Sequence, residues 1–521
     1  MIKLLRENVI LLMLIAVYVL VRSLYWDCPP IWDGRVCYSS LLKAKADPFD
    51  ILNYSDPDGH VAQGFMLLMG LPYLFLGKDF YLFNIWLTLF GIISVLAFHQ
   101  LLTFFTQVRL RKFEIVLITG LFAFHPSVLA SMIHFCFDIG IISFFLMLWL
   151  CLLRGHTIAA AVCAVLLLFT KETSFLLLPL PFFFCCLLQP TELRLKWIRR
   201  HIWIPWIAYS ILVGFLAYKS MFREVPALWV NYHASSPLAT ILNYFDDLPK
   251  LFNYLGMIFV LNFNWVLSLL WLGLGILLFH PKYKNLEASW ANTAFLLFVL
   301  FELVALVLTL VRPFSNVRYV ALLLPLMLLG VAQLLSGVIP SLVVRTTLVA
   351  CLLALFAWED IRTVDPISRK YFSTFAFGRH RILKMTERTA EPAGFGRDQL
   401  VYNLEFMKLP RLLNRVMGDV RPTSNTVFVA CDREAFWSFF VNVDNSTYKA
   451  TYQQENVVTP QFKSVMELLA VPPLPNEVLF IAFPNWSNDE AIATLSQQYS
   501  NRITQVYDID GYQLETTHFR R

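Results

Sequence analysis

Phe137-Asp138-Ile139-Gly140-Ile141-Ile142-Ser143-Phe144-Phe145-Leu146-Met147-Leu148-Trp149-Leu150-Cys151-Leu152-Leu153 is apolar save for one hydroxyl and, near its start, one carboxylate. A run this long and this apolar reads as a helix held in hydrocarbon, where a helix satisfies its own backbone. Asp138 then stands at the mouth of a span, where an unpaired carboxylate is costly and the positive N-terminal end of the helix eases its charge. Two readings stay open for it: a partner of the helix end, or an acid with work to do.

The same texture recurs on both sides of that stretch. Further apolar runs lie at Val9–Val21 and near 80–105, 113–124, 157–170, 174–188, 202–218, 251–279, 292–311, 319–336 and 343–357. Together they make about eleven spans, several of them shorter than the ~20 residues a perpendicular helix needs. The chain of 521 residues is 58% hydrophobic and 15% charged, with a mean hydropathy of +0.60. A soluble chain carries about 25% charged residues, so a soluble enzyme, a disordered chain and a disulfide-dense secreted domain are excluded.

Charge is unevenly spread. About 41 charged residues fall in 1–357 and about 37 in 358–521, roughly 11% against roughly 23%. The expectation is a transmembrane body over 1–357, with a first loop at 22–78, and a water-facing domain over 358–521. The latter holds short β-like runs at Thr426–Ala430, Val478–Ala482 and Thr504–Tyr507, and helix-like stretches at Gln461–Leu469 and Asp489–Tyr499. The fold class is therefore a multi-span α-helical membrane protein with a small C-terminal α/β domain.

Basic residues orient it. Lys3 and Arg6 precede the first run, which lacks a small-residue cleavage site and reads as an uncleaved span. Arg109-Leu110-Arg111-Lys112, Arg194–Arg200 and His280–Lys284 follow the second, sixth and eighth runs. The positive-inside rule puts all three in the cytoplasm with the N-terminus. The first loop, the turn at Arg312–Arg318 and the C-terminal domain then lie outside. The net charge of +6 reads as topology; no basic run with interleaved aromatics points to nucleic acid. Cys28 and Cys37, nine apart in the first loop, are able to pair if that loop is extracytoplasmic. Asn53, Asn445 and Asn485 head Asn-X-Ser/Thr triplets on the outer side, which would suit an ER lumen.

Candidate chemistry gathers on that outer side. The first loop carries Asp33 in Trp32-Asp33-Gly34 and His60 after Asp58-Gly59. A carboxylate at the membrane surface is placed to take a proton from a hydroxyl or amine, and the alternative is a solvated acidic loop. His125 sits in Phe124-His125-Pro126, a functional residue or an interfacial cap. Lys171-Glu172-Thr173 breaks two apolar runs, either as a connector or with its lysine on a phosphate. Arg312 and Arg318 offer forked, permanent donors suited to phosphate, or snorkel. Glu302, inside a run, is paired internally or lines a polar cavity.

These residues, in this order, resemble the GT-C glycosyltransferases that use polyprenyl-phosphate sugars, in the branch of the protein O-mannosyltransferases and the lipid A aminoarabinose transferases. The resemblance spans roughly residues 5–340. It rests on Trp32-Asp33-Gly34 with Tyr38 soon after, and on Gly59-His60 leading to Gly70-Leu71-Pro72. It continues through His125-Pro126-Ser127 with Asp138, Thr170-Lys171-Glu172-Thr173 leading to Leu178-Pro179, and Arg318-Tyr319-Val320 leading to Leu324-Pro325. It implies an inverting transfer with Asp33 as base and Asp138 as a second catalytic acid. Lys171, Arg312 and Arg318 would bind the donor phosphate, and Tyr38, His60, His125, Glu172 and Tyr319 the substrates. Donor and acceptor would be a polyprenyl-phosphate-linked sugar and a lipid, glycan or protein. Many relatives have a second acid where this chain has Gly34, and His-Pro-Pro where it has His60-Val61-Ala62. The first departure weakens a two-carboxylate metal site, so no metal is expected to be obligatory, though a divalent ion stays possible. The branch implies a plasma (inner) membrane with the site on its outer face; an ER membrane with a lumenal site is the alternative. A lipid or solute transporter, which wants ionisable groups near the midplane, and a non-catalytic anchor, which needs far fewer spans, are the competing readings.

Overall fold

The computed structural model describes residues 8–26, 41, 62–76, 80–106, 109–134, 137–171, 173–222, 255–279, 288–311, 320–361, 376–377, 380–381, 408–421, 425–431, 461–483, 488–509 and 512–521. Its helical part runs α1 (Val9–Ser23), α2 (Gln63–Leu76), α3 (Phe80–Thr106), α4 (Lys112–Ala123), α5 (Pro126–His134), α6 (Phe137–Leu153), α7 (Thr157–Leu168), α8 (Ser174–Leu177), α9 (Pro179–Leu187), α10 (Thr191–His201) and α11 (Trp203–Phe222). A π-helical turn, Gly256–Asn262, leads to α12 (Trp265–Phe279), α13 (Ala288–Val311), α14 (Leu323–Val338) and α15 (Leu342–Ile361).

Four stretches are long and apolar enough to cross a membrane: Tyr81–Thr106, Thr191–Tyr218, Ala291–Leu308 and Leu342–Ile361. The pair α4 and α5, bent by 59°, makes a fifth if it counts as one span. The described residues thus form a multi-span helical membrane protein, with fewer full-length crossings than the sequence's eleven or so apolar runs. The difference is one of length: α6, α7, α12 and α14 have 17, 12, 15 and 16 residues, short of the ~20 that a ~30 Å core asks of a perpendicular helix.

Burial sorts these helices. Every residue of α14 from Leu323 to Leu335 is buried, as is α6 from Phe137 to Leu146; helices apolar all round belong at the centre. By contrast α11 and α12 turn Trp206, Val213, Ile276 and Phe279 outward, the surface that lipid covers.

Side-chain contacts fix the direction of each helix. α3 and α6 run the same way: the Phe90 and Phe144 rings meet at 5.6 Å, the Ser94 and Ser143 hydroxyls at 2.5 Å, and Arg154 donates to Gln100 at 2.5 Å. α4 opposes α3, with Phe98 stacked on Phe122 and His99 bonded to Thr119. α15 runs with α4, from Arg345 beside Glu114 to Phe356 beside His125. One end of the bundle, the first end, therefore gathers the C-termini of α1, α7 and α15, the N-termini of α2, α3 and α6, and the α4–α5 bend. The opposite end holds Arg154, the Glu114–Arg345 pair, the bond from Gln333 to the Phe105 carbonyl, and α10.

Two boundaries differ from the sequence reading. The segment 22–78, expected as a polar loop, contains α2, whose Phe65, Met66 and Met69 are buried. Its apolar run, 65–76, is broken by Gly70 and Pro72 and follows an Asp-, Pro- and Gly-rich stretch, so the loop reading extended across it. α15 also continues to Ile361, four residues beyond the expected boundary, because Glu359 and Asp360 are buried at its end rather than released to water.

The C-terminal residues build a five-stranded mixed sheet, order β4-β3-β5-β7-β6, after a two-residue ladder of β1 (Ala376–Phe377) and β2 (His380–Arg381). β3 (Val427–Ala430) pairs in parallel with β4 (Gln461–Ser464) and β5 (Glu477–Ala482). β7 (Tyr512–Arg520) pairs antiparallel with β5 and with β6 (Asn501–Ile509). Period-2 alternation feeds two cores. Val427, Val429, Val478 and Phe480 face the layer of α17 (Val465–Leu469) and α18 (Asn488–Ser496). Phe428, Leu479 and Ile481 join Leu412, Leu413 and Val416 of α16 (Lys408–Val420). The stretch Gln461–Leu469, expected to be wholly helical, divides at Ser464 into β4 and α17. Ser464 caps α17 by accepting from the Glu467 amide at 3.1 Å, while Glu467 accepts from the Ser464 amide at 2.8 Å, a capping box. The sheet unit sits at the first end: Arg411 on α16 donates to the Leu24 carbonyl and covers the Tyr25 ring at 5.5 Å.

Candidate functional site

Asp138 and Lys171 were candidates for separate reasons, and the structure brings them together. Lys171 Nζ lies 2.7 Å from Asp138 Oδ1, and both residues are buried, at 3% and 5% exposure. The pair resolves the cost of a carboxylate at the mouth of a span: an ammonium meets it in a medium where neither ion is tolerated alone.

Three elements converge to make this possible. The Gly64 and Phe65 amides, at the start of α2, both donate to the Phe169 carbonyl, at 3.0 and 3.3 Å. That bond seats α2 on the end of α7, two residues before Lys171. Phe65 then packs on Phe137, one residue before Asp138. Gly140 makes room: a Cβ there would lie 2.7 Å from the Phe65 ring and 2.9 Å from Thr170 Cγ2.

The N-terminal side of the first loop is held at the same end. Arg22, buried at the close of α1, donates to the Met132 carbonyl of α5 at 3.2 Å. Trp26 donates its indole N–H to Thr88 at 2.9 Å, and Asn84 donates to the Trp26 carbonyl at 2.8 Å. The described flanks of the segment that carries Asp33, Tyr38 and His60 are thus both tied to the end of the bundle that holds Asp138 and Lys171.

His125 is buried at the α4–α5 bend. Its Nδ1 accepts the Ser127 amide at 3.2 Å, and its ring stands edge-on to Phe356 at 4.7 Å and Phe263 at 6.3 Å. Such a setting suits holding a bent helix pair. Glu302, on α13, is exposed rather than enclosed among the helices. Asp33, Tyr38, His60, Glu172, Arg312, Arg318 and Tyr319 lie outside the described residues, as do Cys28, Cys37 and the three Asn-X-Ser/Thr triplets. Among the described residues, no group of three His, Cys, Asp or Glu side chains is placed to hold a metal ion.

Sequence reasoning missed several polar residues at this end. Arg22 looked like the first residue of a loop. Asn264 adopts φ +70°, donates to Glu359 at 2.8 Å and caps Val266 at 2.9 Å. Glu359 and Asp360 fell just past the apparent end of the last span. The available signal was an acid pair directly abutting an apolar run.

No family model and no characterised protein matches the chain by sequence. Two solved structures resemble it in three dimensions. One is ArnT from Cupriavidus metallidurans in the apo state, 11% identical over 97% of each chain, with a TM-score of 0.49. The other is the same protein bound to undecaprenyl phosphate, 10% identical over 98% of each chain, with a TM-score of 0.46.

Proposed function

We propose that this chain is an integral-membrane glycosyltransferase that moves a sugar, with inversion, from a polyprenyl-phosphate donor to a lipid, glycan or protein acceptor. One observation carries the reading. The buried Lys171–Asp138 pair sits at the bundle end where the described flanks of the Asp33-bearing segment are anchored.

In this reading Asp33 takes the proton of an acceptor hydroxyl or amine. The acceptor lone pair forms the new bond to the anomeric carbon. The bond from that carbon to the phosphate oxygen breaks, and its electron pair leaves with polyprenyl phosphate. Lys171, with Arg312 and Arg318, meets the negative charge that grows on the departing phosphate. Asp138, already engaged by the Lys171 ammonium, serves to hold Lys171 in place. Tyr38, His60, Glu172 and Tyr319 contact donor or acceptor, and His125 keeps the α4–α5 bend that shapes the site wall. No metal is obligatory. The site and the sheet unit face outward from a plasma (inner) membrane that the chain crosses about eleven times, some crossings being short or broken helices.

The experiment is transfer by purified, reconstituted protein supplied with polyprenyl-phosphate sugars. Loss of a general base costs about 10²- to 10⁴-fold in rate, so Asp33→Asn should fall in that range with unchanged insertion and melting. Full activity in Asp33→Asn removes that residue from its role. Wild-type protein that transfers no sugar from any such donor overturns the function itself.

A further inference from the structure

We propose that α10 and the start of α11 present a binding stripe for acidic phospholipid headgroups at the opposite end from the candidate site. The inference rests on how α10 divides its faces, not on the catalytic reading.

α10 and α11 run on as one 28-residue stretch, Thr191–Tyr218, long enough to cross a membrane and apolar beyond its first turns. At 1.5 Å per residue it is about 42 Å long, against a hydrocarbon core of ~30 Å, so its first turns project into the headgroup layer. The inward face of α10 is occupied. Arg194 folds back to donate to the Leu187 and Gln189 carbonyls, capping α9. Trp197 stacks on His201 at 4.3 Å.

The outward face has two adjacent stripes. Ile198, Ile202 and Trp206, spaced four apart, are exposed and apolar. Beside them Lys196, Arg199 and Arg200, at i, i+3 and i+4, are all exposed. Like charges at this spacing repel one another. Glu192, one turn before Lys196, is the only acid on the stripe, so it keeps an excess of positive charge. An anion relieves that repulsion. The neighbouring apolar stripe says which kind: Ile198, Ile202 and Trp206 turn to the lipid side, so the anion beside them is a lipid headgroup whose acyl chains cover the apolar stripe while its phosphate meets the basic one.

Native mass spectrometry of the full chain, titrated with phosphatidylglycerol or phosphatidylcholine of matched acyl chains, tests this. Wild type should retain phosphatidylglycerol at about tenfold lower lipid concentration, and added salt should erode the preference. The neutral variant Lys196→Gln/Arg199→Gln/Arg200→Gln should lose it, and the charge-conserving variant Lys196→Arg/Arg199→Lys/Arg200→Lys should keep it. Should the neutral variant not fold, Arg200→Gln alone decides, with an expected loss of about two- to threefold. Equal retention of the two lipids by wild type, an unchanged preference in the neutral variant, or displacement by inorganic pyrophosphate as effective as that by phosphatidylglycerol would overturn the proposal.

Discussion

Two buried ion pairs lie at opposite ends of the bundle, and they are built differently. Glu114–Arg345 is a forked contact: Arg345 Nε donates to Oε1 at 2.6 Å and Nη2 to Oε2 at 3.2 Å. Arg345 Nη1 also donates to the Ile339 carbonyl at 2.6 Å, and Glu114 accepts the Arg111 amide at 2.9 Å. That set ties the start of α4 to the start of α15 and satisfies both ions where they stand, which is how a clamp is made. Asp138–Lys171 uses an ammonium, a compact charge on a flexible stem, and it lies where α2 is seated on the end of α7. One pair is specialised for joining helices. The other lies beside the anchors of the first loop, where the proposed function puts the donor phosphate. Burial alone does not distinguish a structural pair from a functional one; the partner chemistry and the neighbouring elements do.

Removing each pair whole separates the two roles. Swapping a buried pair for apolar groups of similar volume is often near neutral in stability. Glu114→Leu/Arg345→Met should therefore keep transfer activity per folded molecule. Asp138→Asn/Lys171→Met should lose activity by about 10²-fold or more, the scale for removing donors that stabilise developing charge. Sugar-transfer rates normalised to folded protein compare them, and equal losses would erase the distinction.

Breaking one partner gives the next largest effect. Arg345→Met alone leaves Glu114 buried without its guanidinium, at a cost of about 3–5 kcal/mol. It should lower the melting temperature in detergent while the surviving folded fraction transfers sugar normally. Gly140→Ala probes the packing around the other pair. Its Cβ would press on Phe65 and Thr170, costing about 1–3 kcal/mol and weakening donor affinity as α2 is pushed from the end of α7. The smallest effect is expected from Trp26→Phe, which deletes one bond to Thr88 worth about 0.5–1.5 kcal/mol. A melting shift larger than that of Arg345→Met would show that the anchor of the first loop bears more of the fold than the clamp.

Composition and periodicity carried most of the architecture. Continuous apolar runs marked the helices because lipid exposure demands them, and short runs of β-branched and aromatic residues in Thr426–Ala430 and Val478–Ala482 marked two central strands. What failed had local causes. The apolar run at 65–76 is interrupted by Gly70 and Pro72, helix breakers that read as loop after the polar stretch before them. Ser464 ends a strand and caps a helix at once, which a window average cannot divide. Site legibility stopped at single residues: Asp138 and Lys171 each drew attention as charges at span ends. Their pairing across 33 residues, like that of Glu114 with Arg345 across 231, follows from tertiary packing and leaves no local trace. Arg22 and Asn264 were hidden for the same reason, since their partners lie on other helices.

The most direct test is the binding of a polyprenyl phosphate, the leaving group of the proposed reaction, to the full chain and to the two pair-deletion variants. Glu114→Leu/Arg345→Met should bind like wild type, and Asp138→Asn/Lys171→Met should bind at least about tenfold more weakly, as loss of a charge-assisted phosphate contact worth about 1.5–3 kcal/mol requires. Equal affinity in all three proteins would contradict the placement of the lipid phosphate at Lys171, and with it the central claim.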